Sequence, residues 1–156
     1  MGEMTDILDA ADKRILDALS KDGRMSIADL ARKVGLSNTP VQARLKRLEA
    51  QGIILGYAPR LDPVKLGRPH IVFVEVKLSD TREKALRAFN EAVLGLTEVE
   101  ECHMIAGAFD YLLKVRTRDM TGYRDVLGEK ISNLPHVAHT STHVAMQAVK
   151  DFGFKA

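Results

Sequence analysis

The sequence predicts an α+β chain in two parts, a small three-helix N-terminal domain and a C-terminal sandwich of one sheet and two helices. Three observations carry this. Residues 26–51 hold two amphipathic helical patterns separated by a glycine turn. Pro59, Pro63, Gly67 and Pro69 crowd the stretch 58–69 and mark a boundary. Beyond it, the apolar positions alternate between period 2 and helical spacing in the order strand, helix, strand, strand, helix, strand. The expected domains are residues 1–57 and 70–156, with 58–69 as a linker whose Leu61, Val64 and Leu66 pack rather than float.

In the first domain, Asp6 to Asp22 reads as a helix with Leu8, Ile15, Leu16 and Leu19 as its stripe, followed by the turn Lys21-Asp22-Gly23-Arg24. Ser26 is placed to cap a second helix, with Asp29 completing an S-x-x-D box. Ile27, Leu30, Ala31 and Val34 form its apolar stripe, and Gly35 suits a left-handed stop. Ser37 is placed to cap a third helix, where Pro40 is tolerated in the first turn. Val41, Leu45 and Leu48 face inward; Asn38, Thr39, Gln42, Arg44, Lys46 and Arg47 are left on or near the outer face. This is helix-turn-helix spacing, with one departure: Arg44 stands where an apolar residue is usual, and neighbouring Leu45 is expected to take its place in the core. Such a pair of helices presents the second to a major groove of DNA. Gly52 ends that helix, and Ile53–Tyr57 reads as a short β-like run, either a wing or a crossover to a second copy.

In the second domain, His70–Leu78 alternates with Val72, Val74, Val76 and Leu78 on one face. A helix over Arg82–Val93 turns Leu86, Phe89 and Val93 inward. Strands are expected at Val99–Ala106, Tyr111–Thr117 and Val137–Gln147. Asp119 caps a helix carrying Met120, Tyr123, Leu127 and Ile131, which Asn133-Leu134-Pro135 breaks. The order βαββαβ is that of a ferredoxin-like sandwich. Its helices would cover one sheet face and leave the other free for a second copy.

Composition narrows the classes. The single Cys102 excludes an intrachain disulfide and fits a reducing, cytoplasmic setting. No apolar run approaches the ~20 residues of a membrane span. The net charge of +2 hides an asymmetry: residues 32–60 carry six Lys/Arg against only Glu49, whereas residues 1–31 carry four against seven Asp/Glu. Positive charge therefore concentrates on and after the third helix, where phosphates would need it. Metal binding is not expected: His139 and His143 are too loosely spaced with Cys102-His103 for a zinc motif.

Asp12-Lys13-Arg14-Ile15-Leu16, Asp22-Gly23-Arg24, the run Leu30–Ser37, Arg47-Leu48-Glu49, Gly52-Ile53-Ile54, Glu101-Cys102-His103, Gly107, Phe109–Leu113 and Leu134-Pro135 together resemble the Lrp/AsnC family of transcriptional regulators, nearest its leucine-responsive branch. Ala108 stands where a polar residue is common, and His136 where that branch often has glycine. The resemblance covers almost the whole chain. It implies a winged helix-turn-helix regulator of amino-acid metabolism that is no enzyme and carries no cofactor. It also implies homodimers that pair through the sheet, often assemble into octamers, bind double-stranded DNA and respond to an amino acid such as leucine. A regulator of a single catabolic operon, such as proline or branched-chain use, fits equally. The rival classes are an architectural DNA-organising protein without effector and a small ferredoxin-like enzyme.

For DNA, Asn38, Thr39, Gln42 and Arg44 are expected at base edges, since Gln suits adenine and Arg suits guanine. Ser37, Lys46 and Arg47 are expected at phosphates, with Arg32 and Lys33 as outer contacts and Pro40 between them in the first turn. For the effector, the turn from Ile105 to Asp110 supplies candidates. Ala106 and Gly107 would offer backbone N–H groups to a carboxylate, and Asp110 a charge for an ammonium. Thr140 and Thr142 would add hydroxyls, and Met104, Phe109 and Leu134 an apolar lining.

Overall fold

A computed structural model of the chain describes residues 8–151. It divides into two compact units, residues 1–59 and 60–156.

In the first unit, helix α1 spans Ala10–Lys21, α2 Ile27–Val34 and α3 Asn38–Ala50. Helix α1 starts later than its apolar stripe suggests, because Asp9 is extended and caps it. Asp9 Oδ1 accepts the Asp12 N–H at 2.8 Å, and Asp12 Oδ2 accepts the Asp9 N–H at 3.2 Å, a reciprocal capping box. The expected helical residues 6 and 7 lie outside the described residues. Ser26 caps α2 by accepting the Asp29 N–H at 3.1 Å and donating its hydroxyl to Asp29 Oδ2 at 2.7 Å. Gly35 sits at φ 72°, so its N–H and that of Leu36 both return to the Ala31 carbonyl. Helix α3 ends the same way: Gly52 at φ 68° lets its own N–H reach Glu49 O and the Ile53 N–H reach Leu48 O. Ile15, Ala18, Leu30, Ala31, Val34, Val41, Leu45 and Leu48 form the core, so Leu45 fills the place expected of it. The run Ile53–Tyr57 forms no strand among the described residues. Ile54 packs on the core and Tyr57 donates its hydroxyl to Glu49 at 2.9 Å.

In the second unit, β1 spans His70–Leu78, α4 Glu83–Val93, β2 Val99–Met104, β3 Tyr111–Thr117, α5 Met120–Glu129 and β4 Val137–Val144, with a 3-10 turn at Ile131–Asn133. The sheet is antiparallel in the order β2-β3-β1-β4. This is the ferredoxin-like arrangement expected of the βαββαβ pattern. Register sets Val72 against Val115, Val74 against Leu113 and Val76 against Tyr111. All six are buried under Phe89 and Val93 of α4 and Tyr123 and Val126 of α5. Asp119 caps α5 through the Gly122 N–H at 2.8 Å. Met120 stays 52% exposed and contributes nothing to that core.

Residues 60–69 cluster with the second unit, and of the apolar residues expected to pack there Val64 is 67% and Leu66 52% exposed. Arg68 donates to the Arg116 carbonyl at 3.2 Å, and Arg116 donates back to Arg68 O at 3.4 Å. The Arg116 side chain also pairs with Glu100 and with Asp151 at the end of the described chain. The helix-free sheet face is therefore not wholly open: Ile71 and Arg116 are buried on it, while Phe73 is 37% exposed. Lys114 lies between Glu100 and Glu101 on the same strand pair, at 3.4 and 3.5 Å.

Candidate DNA interface and effector turn

Helix α3 buries Val41, Leu45 and Leu48, at i, i+4 and i+7. The opposite surface carries Thr39, Gln42, Ala43 and Lys46, all exposed and three or four residues apart, so they form one stripe. Asn38 and Pro40 are exposed at its start. Ser37 holds the cap position, but its side chain makes no cap hydrogen bond, and the hydroxyl is left exposed beside the first-turn N–H groups of α3. That end of a helix favours a phosphate. Lys33 is exposed at the end of α2, and Arg32 pairs with Asp29 at 3.1 Å. Ala43 is absent from the sequence-derived set. Its methyl, between Gln42 and Lys46, is the apolar contact that a thymine methyl accepts.

Two expectations are corrected. Arg44 does not stand at the base-reading face. Its guanidinium lies on the flank of α3 toward α1, 2.6 Å from Asp9 Oδ2 and 2.8 Å from Asp12 Oδ1. Arg47, one turn further on and expected at a phosphate, pairs with Asp12 Oδ2 while its side chain stays 43% exposed. Asp9 is the N-cap of α1 and Asp12 lies in its first turn. The Asp12 N–H and the Arg44 guanidinium hold the Asp9 carboxyl below the usual carboxylate range. The sequence signal was the arginine at the position usually apolar: a charge there needs a buried partner, and the D-x-x-D start of α1 supplies it.

The turn joining β2 to β3 is built differently from its expected role as well. Asp110 Oδ2 accepts the Leu78 N–H at 2.7 Å and Oδ1 accepts Lys77 Nζ at 3.2 Å. Its N–H donates to Val76 O and its carbonyl accepts the Ile105 N–H. Asp110 thus ties the turn to the bulged end of β1, and its charge is already paired. Ala106, Gly107 and Ala108 are exposed at the tip, Phe109 is half-buried and Met104 is 57% exposed. Among the described residues a Cβ at Gly107 would meet only Ile105 Cγ2, at an ordinary 3.6 Å, so none of them demands glycine there. Leu134 is core, 7% exposed. Thr140 and Thr142 lie on β4, which β1 separates from β3, and Thr142 Oγ1 is 2.6 Å from the Tyr123 hydroxyl.

His136, the other departure from the leucine-responsive pattern, has φ 63°. The left-handed conformation costs a residue with a Cβ about 1–2 kcal/mol, part of which glycine gives back through its looser unfolded chain. His136→Gly is expected to stabilise the sheet unit by about 0.5–1 kcal/mol, read as a higher urea midpoint at unchanged slope. The His136 side chain lines a surface cleft of about 440 Å³ with Asp80, Arg82, Lys84 and Ala85. Hydrogen bonds from the Arg82 side chain and backbone hold the Asp80 carboxyl down at about 2. Because the folded value lies below the unfolded one, the pair supports the fold above pH 3.8 and loses that support as pH falls toward 2. An NMR titration of Asp80 is expected to show its midpoint near 2, returning toward 3.8 in Arg82→Ala.

An exposed reading helix on a tri-helical unit, joined to a βαββαβ sandwich, defines a DNA-binding regulator with an attached sensing or assembly domain. Comparison with known proteins agrees. The family "Lrp/AsnC ligand binding domain" matches residues 71–153, and "Winged helix-turn-helix DNA-binding" matches residues 8–54. The proline dehydrogenase transcriptional activator of Rhizobium radiobacter is 66% identical over 149 residues, 96% of each chain. The leucine-responsive regulatory protein of Escherichia coli K12 is 48% identical over 143 residues, 92% of this chain and 87% of its own. Among solved structures, an AsnC family regulator from Agrobacterium tumefaciens superposes with a TM-score of 0.87 at 34% identity, covering 92% of this chain and 94% of that one. A Neisseria meningitidis regulator in complex with L-methionine gives 0.86 at 28% identity, with 92% and 93% covered. The chain belongs to the Lrp/AsnC family of transcriptional regulators, and is not an enzyme. No helix among the described residues is long and apolar enough to cross a membrane.

Proposed function

We propose that this protein controls transcription of a proline dehydrogenase gene in the cytoplasm, binding promoter DNA as a homodimer or an octamer built from dimers and responding to an amino acid, proline foremost. The observation that carries the DNA half is the stripe Thr39, Gln42, Ala43 and Lys46, exposed on a helix whose start offers Asn38, Ser37 and its free N–H groups to a phosphate. Arg32 and Lys33 flank it as outer phosphate contacts. The choice of target rests on relatives: the chains named proline dehydrogenase transcriptional activator share 66% and 58% identity with this one, against 48% for the leucine-responsive protein of Escherichia coli K12. Leucine is accordingly the second candidate effector.

The effector is proposed to contact the exposed tip Ala106–Ala108, with Met104 and Phe109 beside it. Exposed Gly107, which no contact among the described residues requires, is what a second molecule approaching the backbone would need. Useful regulation needs only about 1–3 kcal/mol of coupling between effector and DNA.

The test uses a duplex selected by the full chain from a randomised pool, which serves as its operator. Calorimetry with each of the twenty amino acids, with and without this duplex, is expected to give heat with proline and a shifted operator affinity. No heat with any amino acid removes the effector reading. Selection of a leucine-responsive but proline-silent complex replaces proline with leucine.

A further inference from the structure

The ion-pair cluster between α1 and α3 has a geometry that goes beyond bracing. Asp12 is fully buried, and each of its oxygens accepts a different arginine of α3: Oδ1 takes Arg44, Oδ2 takes Arg47 and the Asp9 N–H. Asp9 takes a second hydrogen bond from Arg44. Arg44 and Arg47 are one helical turn apart and lie on the flank between the buried stripe and the reading stripe. Two carboxylates fixed at the start of α1 therefore hold the middle of α3 at two points. They also balance both positive charges of that flank.

We infer that Asp12 is a positioning residue for DNA recognition, with a second effect on selectivity. It sets the rotation of α3 about its axis, so that Thr39, Gln42, Ala43 and Lys46 face outward together. It also withholds the Arg44 and Arg47 guanidinium groups from DNA phosphates. This rests on the DNA-binding reading of α3 given above.

The physical reason for withholding them is competition. A phosphate contact adds affinity for every duplex, operator or not, and steepens the dependence of log affinity on log salt by about 0.9 per phosphate. A regulator must find its site among a large excess of other sequence, so affinity of that kind weakens selection. An arginine side chain from the flank of a helix seated in the groove is long enough to reach the adjacent backbone. Tied to Asp12, it cannot.

A purely structural brace and this device predict opposite results on unrelated DNA. Fluorescence anisotropy of the full chain on the selected operator and on a scrambled duplex, over a range of KCl concentrations, separates them. In Asp12→Asn, which keeps the shape and removes the charge, binding to the scrambled duplex is expected to tighten about 10-fold. Its salt slope should steepen by about 1–2, and the operator-to-scrambled ratio should fall at least 10-fold. A scrambled affinity that is unchanged or weaker, with the wild-type slope, overturns the inference and leaves Asp12 a brace.

Arg47→Gln provides a second arm that does not depend on Asp12→Asn folding, which circular dichroism checks. Because Arg47 is held off DNA, its removal is expected to leave the scrambled affinity and slope at wild-type values. A slope shallower by about 1 would place Arg47 on a phosphate already and also overturn the inference. Wild-type protein that binds no duplex at all contradicts the DNA-binding reading itself, a result distinct from either.

Discussion

Replacing Gln42 with alanine is expected to weaken binding to the selected operator about 10- to 100-fold while leaving the scrambled duplex at its wild-type affinity. The magnitude follows from the chemistry: a side-chain amide that bonds N6 and N7 on the major-groove edge of an adenine discriminates against the wrong base by about 1–3 kcal/mol. The separation of the two duplexes follows from the position. Gln42 lies on the exposed stripe of α3 and is neutral, so on the proposed reading its loss would remove a base contact and no phosphate contact. Lys46, one turn further along, is the counter-case. Its alanine variant should weaken both duplexes together and make the salt slope shallower by about 0.9. Equal losses on both duplexes for Gln42→Ala would mean that the amide positions the helix rather than reads a base.

Leu30→Ala is expected to have the largest effect on stability. Leu30 is fully buried at the centre of the N-terminal core, among Ile15, Ala18, Ala31, Val34, Val41, Leu45 and Leu48. Truncating a leucine in such a place costs about 2–5 kcal/mol through lost burial and the cavity left behind. A core of this size gives a domain of roughly 60 residues little to spare. The variant should therefore lose the helix-turn-helix unit, and DNA binding with it, at temperatures where the wild type is folded. The sheet unit has a separate core in Val72, Val74, Val76, Phe89, Leu113, Tyr123 and their neighbours, and its own transition should not move. Scanning calorimetry reads both at once. A single transition shifted as a whole would show that the two units do not unfold separately.

Much of this architecture is legible in the residues because the local signals agree with one another. The alternating valines of β1, the Ser26 and Asp119 caps and the Gly35 stop each point to an element whose neighbours point the same way. What could not be read is what depends on distant partners. Arg44 looks like a base-reading residue from its helix alone. Only the buried Asp12, 32 residues away, shows that its charge is taken. Thr140 and Thr142 carry hydroxyls whose distance from the β2–β3 turn depends on strand order, which spacing does not give, and β1 intervenes. Leu134 is apolar whether it lines a pocket or fills a core, and here it fills the core. Asp110 carries a charge suited to an ammonium, but it spends that charge on Lys77 and the bulge of β1. His136 was visible as a departure from the family pattern, and its φ of 63° explains why glycine is the easier residue at that place.

The central claim is that two copies of the chain present α3 to duplex DNA in a two-fold arrangement. Hydroxyl-radical footprinting of the selected operator tests it most directly. Two protected tracts of matching, inverted sequence are expected on one face of the duplex, their centres about 10–10.5 base pairs or a multiple of that apart. A single protected tract, or protection with no inverted symmetry, would contradict it.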